Sequence, residues 1–412
     1  MLDKLHIAEI HYQRGVVLEQ AGRLNEAVDE YRQALSNNPR LRAAHLALAG
    51  YYQRHGLTAR AIAALDEAVS IEPDYEALQR LASLQLELRR FEEARAAVQL
   101  SARLSGDKAL IAYQLALIAY HEERYPQALA LLAGWERDLD DLWRYHQLAG
   151  RCALRLGSYD EALACLGRAM LRTNDPAHLA QLLYEVRVAE RAGEFCGVLT
   201  VRDQIYIAQG TVCLGASQED DRTHQRPDQR AWTYEQLAAT VRRAGELAGR
   251  GVWRSSVIVA LTLDAEPLAG AFAQLLGQPC INLQDLRADD VPLLVAGALS
   301  DPALLNVSHE RVAQPCFTYA QSVSWRPDAA HVWPDLVGMP AGAAELPWAA
   351  DLAELRRSRS GSAPGGGDHS ALLAQASASL LAALEQPTAA EQALADYYER
   401  DHLKLRWSNA RA

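Results

Sequence analysis

The chain has 412 residues, half of them hydrophobic, with 41 basic side chains against 52 acidic ones and a formal net charge of −11. That length exceeds one compact core and implies two or three domains. The acidic balance argues against an electrostatic grip on nucleic acid or on an anionic membrane surface.

The opening Met1-Leu2-Asp3-Lys4 has no basic region leading into an apolar run, and apolar stretches of about 18 residues are absent. Neither a signal peptide nor a membrane span is expected, and the location reads as cytoplasmic. The six cysteines, Cys152, Cys165, Cys196, Cys213, Cys280 and Cys316, show neither a Cys-x-x-Cys nor a Cys/His ligand spacing. They read as reduced, buried thiols with no metal.

From the start, small residues recur about every 34 positions. Gly15, Gly22, Ala27, Tyr31, Ala34 and Pro39 map onto Ala49, Gly56, Ala61, Leu65, Ala68 and Pro73. Later units are anchored by Phe91-Glu92-Glu93-Ala94, Tyr125-Pro126-Gln127-Ala128 and Tyr159-Asp160-Glu161-Ala162, each opening a second helix. In the third unit Arg89-Arg90 replaces the turn glycine, and a degenerate sixth unit spans roughly 179–208. The pattern resembles the tetratricopeptide repeat, two antiparallel helices per unit crossing at small residues, and covers about half the chain.

This resemblance implies an all-α solenoid of five to six helix-turn-helix repeats over residues 1–204, with function in a groove lined by first helices. The family pattern places Glu9, Tyr12, Val16 and Glu19 on that groove, then Ala43, Leu46 and Gln53, then Gln79, Ser83 and Leu86. Tyr113, Leu117 and Tyr120 follow, then Arg144, Gln147 and Arg151, with Arg187 after them. A groove aromatic in its middle and basic toward its end suits an extended or helical peptide with an acidic segment. The competing reading pairs Arg144, Arg151 and Arg187 with acids of neighbouring units. The carboxylate clamp of co-chaperone members requires Asn after the first-helix glycine, where this chain has Val16.

At Ile205-Tyr206-Ile207 the helical period stops, and β-branched residues through Leu214 predict a strand pair or one bulged strand at Gly210. Residues 216–230 read as a solvated loop. A helix is predicted over Thr233–Gly249, then the strand Ser256–Leu261, a helix opened by Asp264, and a strand from Gln278 to Leu283. A shift of about 36 residues matches Leu293–Ala296 to Val257–Ala260 and Gln314-Pro315-Cys316 to Gln278-Pro279-Cys280. Repeated strand-helix-strand units predict a small α/β domain over 205–345 with a mostly parallel sheet and right-handed crossovers.

Such sheets place ligands at the carboxyl ends of their strands, here the loops 262–266 and 297–302. Asp264, Glu266 and Asp301 are the candidate catalytic residues there. The competing reading makes them helix caps. Residues 257–280 resemble part of the type I phosphoribosyltransferases, although the family's diphosphate-sugar loop is missing because Asp289-Asp290 precede their strand. With neither a Gly-x-Gly-x-x-Gly nor a phosphate loop in the chain, no cofactor is expected. His309 and His331 lack spaced partners and read as surface or second-layer histidines.

Trp325, Trp333 and Trp348 with their prolines read as irregular coverage of the domain. Residues 346–368 then form an irregular segment with a glycine-rich linker, and residues 369–412 a C-terminal helical hairpin around Pro387 able to dock on this chain or another. The function read from the sequence is a scaffold binding a protein or peptide partner in its groove. The alternative is a repeat-targeted enzyme, and a third reading has the C-terminal helices fill the groove.

Overall fold

The structure is a computed structural model describing residues 2–104, 107–195, 197, 199–215, 232–301, 303–312, 314–324, 333–339, 345–358 and 367–384. The chain divides into two compact units, residues 1–186 and 187–412. Expectations placed on Cys196, on Trp325, on His331, on residues 216–230 and on the second tail helix fall outside the described residues, as does the side chain of His309.

The first unit stacks antiparallel helix pairs: α1 Leu2–Gln20 with α2 Leu24–Asn37, α3 Arg42–Arg54 with α4 Thr58–Ile71, and α5 Tyr75–Glu87 with α6 Phe91–Ser101. Then come α7 Lys108–His121 with α8 Tyr125–Leu132, α9 Trp143–Arg155 with α10 Tyr159–Met170, and α11 Pro176–Ala192. The periodic small residues are where the two helices of a pair touch. A Cβ at Gly15 would stand 2.5 Å from Tyr31 Cε1, and one at Gly150 would stand 2.9 Å from Leu166 Cγ. Ala27, Ala61, Ala94, Ala128 and Ala162 are fully or almost fully buried at equivalent positions. Between the paired helices the backbone turns left-handed, at Gly22, Gly56 and Gly157 but also at Arg89 (φ 56°) and Glu123 (φ 64°).

Where a strand pair was expected over 205–214, residues Val201–Gln209 form helix α12, and the strand is confined to Val212–Cys213. Local capping overrides the β-branched composition: Thr200 and Asp203 form a reciprocal capping box, and Gly210 closes the helix left-handed at φ 75°. Arg191 then donates to the Ile207 and Ala208 carbonyls at the C-terminal turn, at 2.8 and 3.2 Å.

The second unit holds a five-stranded sheet in the order β1-β5-β4-β3-β2, with every pairing parallel. Its strands are β1 Val212–Cys213, β2 Val257–Ala260, β3 Pro292–Leu299, β4 Phe317–Val323 and β5 Leu336–Met339. The two strands matched by the 36-residue shift are neighbours, with the register offset by one residue from that match, Ile258 opposite Leu293. The strand expected over 278–283 reduces to one parallel bridge, Cys280 with Ile258.

Helices α13 Tyr234–Gly249, α14 Glu266–Leu276 and α17 Gly367–Leu384 cover one sheet face around Ile258, Leu293, Val295 and Tyr319. The other face, with Ala296, Ala320 and Val337, packs Ile205 of α12 and Leu305 of α15 Ala303–Arg311. Helix α16 Ala349–Ser358 joins α17, whose Leu373, Ala376 and Leu380 are core residues. A deletion beginning at residue 369 therefore strips this core. Trp333 and Trp348 are buried, as irregular coverage predicts. Cys280 departs from the expectation of buried thiols by being exposed, while Cys152, Cys165, Cys213 and Cys316 are buried. Among the described residues no helix is long and apolar enough to cross a membrane.

Candidate functional site

The first helices of successive units are joined side chain to side chain. Glu19 on α1 accepts from Arg54 Nη2 on α3 at 2.5 Å and from Tyr31 Oη at 2.6 Å. Gln53 on α3 accepts from Arg80 Nε on α5 at 3.1 Å. Gln114 on α7 donates to Gln79 on α5, and Gln79 passes its own amide hydrogen to Ser101 at 3.0 Å. Tyr12 takes a different role, its ring tilted 5.8 Å from Tyr31.

The last link is the most buried. Gln147 Nε2 and Arg151 Nε, both on α9, donate to Glu185 Oε1 on α11 at 2.8 and 3.0 Å, and Arg151 Nη2 reaches the same oxygen. Glu185 is only 8 % exposed. Burial works against the Arg151 charge, but the Glu185 carboxylate outweighs it and raises the guanidinium above its ordinary value. Of the two sequence readings of Arg151, pairing with a neighbouring unit is the one the geometry shows.

Tyr113 lies within electrostatic reach of Arg144 and Arg151, and Tyr120 within that of Arg151. Burial raises the Tyr113 phenol, and the nearby Arg144 and Arg151 partly offset that. Tyr120 packs its ring 5.6 Å from Tyr125. His121 is pushed below its ordinary value by desolvation and then by Arg151 and Arg89, so it adds no positive charge at neutral pH. Arg144 is exposed and stacks over Trp143 at 5.2 Å, with no ion pair among the described residues. His178 lies tilted 4.4 Å from the Trp143 ring. Arg187 is exposed and lies at the start of the second unit.

Thus the geometry gathers Tyr113, Tyr120, Arg144, Gln147 and Arg151 and leaves Glu19 and Gln53 in separate upstream links. Sequence reasoning missed Glu185, which stands 34 residues after Arg151 at the same place in its unit. Carrying the period one unit further would have found it.

At the sheet, Asp264 lies in a short 3-10 turn, and its carboxylate sits against β3: a Cβ at Gly297 would stand 2.5 Å from Asp264 Oδ2. Its backbone carbonyl accepts from Trp348 Nε1 at 2.9 Å. The expected cap at the α14 start is absent, because Ala265 is the N-cap residue and Glu266 is exposed. Asp301 does cap, its Oδ1 accepting from Ala303 N at 2.8 Å. No contact joins the three carboxylates among the described residues, nor does any described cluster of His, Cys, Asp and Glu suit a metal ion.

Comparison with known proteins agrees with the repeats. Residues 8–41 match the family model described as tetratricopeptide repeat, and residues 103–169 match that of anaphase-promoting complex, cyclosome, subunit 3. Neither reaches residues 257–280, and the likeness of that stretch to phosphoribosyltransferases gains no support. No curated protein matches the chain. Similar solved structures include MamA, at 22 % identity over 42 % of this chain and 94 % of that one with a TM-score of 0.37. YrrB, titled a TPR protein with an unusual peptide-binding site, is 16 % identical over 42 % of this chain and 89 % of its own, with a TM-score of 0.36. A thermophilic TPR protein of Thermus thermophilus is 21 % identical over 43 % and 98 %, with a TM-score of 0.34.

Proposed function

We propose that this chain, whose N-terminal part is a tetratricopeptide-repeat solenoid, is an interaction scaffold that holds a protein or peptide partner on the wall made by its first helices. The observation that carries this reading is the half-buried Tyr113 near the exposed Arg144, with the half-buried Tyr120 further along α7 and near Arg151. Two tyrosines offer apolar area with polar tips at small entropic cost, the composition of interface hot spots. Arg144 is the cation there that would meet an acidic residue of the partner, since Arg151 is already engaged by Glu185.

The test is affinity capture with the full chain, comparing wild type, Tyr113→Ala with Tyr120→Ala, and Arg144→Glu. Losing two hot-spot aromatics should reduce recovery of bound partners by at least about tenfold. Arg144→Glu should remove those partners whose binding falls with salt. Equal recovery by all three proteins would mean that this part of the wall is not the binding surface.

A further inference from the structure

The first helix of the stack exposes a seam that later first helices bury. Counted back from the start of the second helix of its unit, Ile10 on α1 stands where α3, α5, α7 and α9 have Ala44, Ala77, Ile111 and Tyr145, all buried. Val17 stands where those helices have Tyr51, Leu84, Ile118 and Cys152, buried except for the half-buried Tyr51. On α1 the two side chains are 45 % and 63 % exposed. Helix α1 has its own partner α2, so pairing within the unit does not make the difference. What α3, α5, α7 and α9 have in addition is the second helix of the preceding unit, which α1 lacks among the described residues.

Arg14 stands between Ile10 and Val17 on this seam, in the place of Leu48 and Leu81. Its side chain is 65 % exposed, with the guanidinium 3.9 Å from Glu30. A groove of about 650 Å³ opens beside it, lined by Arg14, Val17 and Leu18 of α1 and by Glu26 and Glu30 of α2.

The chain carries a further second-helix sequence beyond the stack. Residues 391–399, Glu-Gln-Ala-Leu-Ala-Asp-Tyr-Tyr-Glu, lie outside the described residues. Their Gln392-Ala393-Leu394-Ala395 repeats Gln127-Ala128-Leu129-Ala130 of α8, and Ala393 and Tyr397 keep the spacing of Ala27 and Tyr31 on α2. Three of these nine residues are acidic and none is basic, which complements Arg14.

From the open seam and this matching sequence we infer that the α1 face of one molecule docks residues 391–399 of a second copy, which supply the second helix that α1 lacks. Repeat units are stable only when a neighbour covers their apolar face, and Ile10 and Val17 present that face uncovered. The chain's own segment is a poorer occupant. The six residues between Leu384, where α17 ends, and Glu391 let it reach about 25 Å. Four unit steps separate α1 from α9, about 40 Å of stack at about 10 Å a step, before the second unit begins at Arg187. A segment from another molecule meets no such limit. Face and segment differ, so the contact is heterologous and joins copies head to tail or by reciprocal exchange. This site is independent of the wall at Tyr113 and Arg144.

The test is sedimentation equilibrium of the full chain across a concentration series. It compares wild type, Ile10→Glu with Val17→Glu, Leu394→Glu with Tyr397→Glu, and an equal mixture of the two variants. Ile10 and Val17 are exposed, and positions 394 and 397 belong to no described core, so both variants keep the packing of the two units. Wild type should gain average mass with concentration, and each variant alone should self-associate at least about tenfold more weakly. The mixture holds one intact face and one intact segment and should recover a species of twice the monomer mass. Wild type that stays monomeric, association undiminished in either variant, or a mixture no heavier than its components would each overturn the inference.

Discussion

Replacing Glu185 by leucine removes the acceptor on which Gln147 and both Arg151 nitrogens converge. A fully buried ion pair broken on one side costs about 3–5 kcal/mol, whereas an exposed pair is worth under about 1 kcal/mol. The Glu185 side chain is 11 % exposed and that of Arg151 30 %. The pair lies between those limits, and its coupling should be about 2 kcal/mol, with Glu185→Leu alone costing about 3 kcal/mol because the Gln147 amide is stranded as well. The assay is a double-mutant cycle of Glu185→Leu and Arg151→Met by urea unfolding of the full chain. Amide exchange in α9 and α11 localises the loss, since a chain of two units need not unfold in one step. Arg151→Met should leave partner recovery intact while lowering stability. A coupling below about 0.3 kcal/mol would show the residues to be independent and return Arg151 to the pool of free wall cations.

Glu123 occupies the interhelix turn at φ 64°, where other units use glycine. Left-handed backbone costs a side-chain-bearing residue about 1–2 kcal/mol, and glycine's looser unfolded state gives part of that back. Glu123→Gly should therefore raise stability by about 0.5–1 kcal/mol, seen as a higher urea midpoint, and a lower midpoint would show that the turn is not strained. Burial alone would raise the Glu19 carboxyl, but donors from Tyr31 and Arg54 outweigh it and hold it below its ordinary value. A depressed folded value means that its contribution is complete above the unfolded value, about 4.3, and is lost as pH falls through the folded one. Glu19→Gln should therefore be less stable than wild type at neutral pH, with the gap closing below about pH 4. A gap that stays constant down to acid pH would rule out this linkage.

The repeats were legible because each landmark residue answers to one local demand that recurs. Gly15 must admit Tyr31 and Gly150 must admit Leu166, and the same crossing geometry imposes the same residue class a fixed distance on. The polar links along the wall were less legible. They span 35 residues for Glu19 to Arg54, 27 for Gln53 to Arg80, 35 for Gln79 to Gln114 and 34 for Arg151 to Glu185. Three of the spans are one period, but a long side chain can also reach back two turns, as Arg80 does, and the period alone does not say which residue types will pair. Helix α12 was misread because composition pointed to a strand while the Thr200–Asp203 box and Gly210 pointed to a short helix, and the terminal signals decided.

At the sheet, the same device of a missing Cβ appears with opposite chemistry. Gly15 and Gly150 make room for apolar groups, Tyr31 and Leu166, and the result is a helix crossing. Gly297 and Gly338 make room for polar groups, the Asp264 carboxylate and the Gln321 amide, at successive places along the carboxyl edge. A glycine in a strand announces a close approach without naming what approaches. In the repeats the period supplies that name, because the partner recurs with it. In the sheet each approach occurs once, so Asp264 passed for a helix cap and Gln321 drew no notice. The polar groups so admitted have different resources: Asp264 retains some exposure, while Gln321 has none and keeps a donor without a partner among the described residues. An unmet buried donor is the costlier of the two, since water can reach the Asp264 carboxylate.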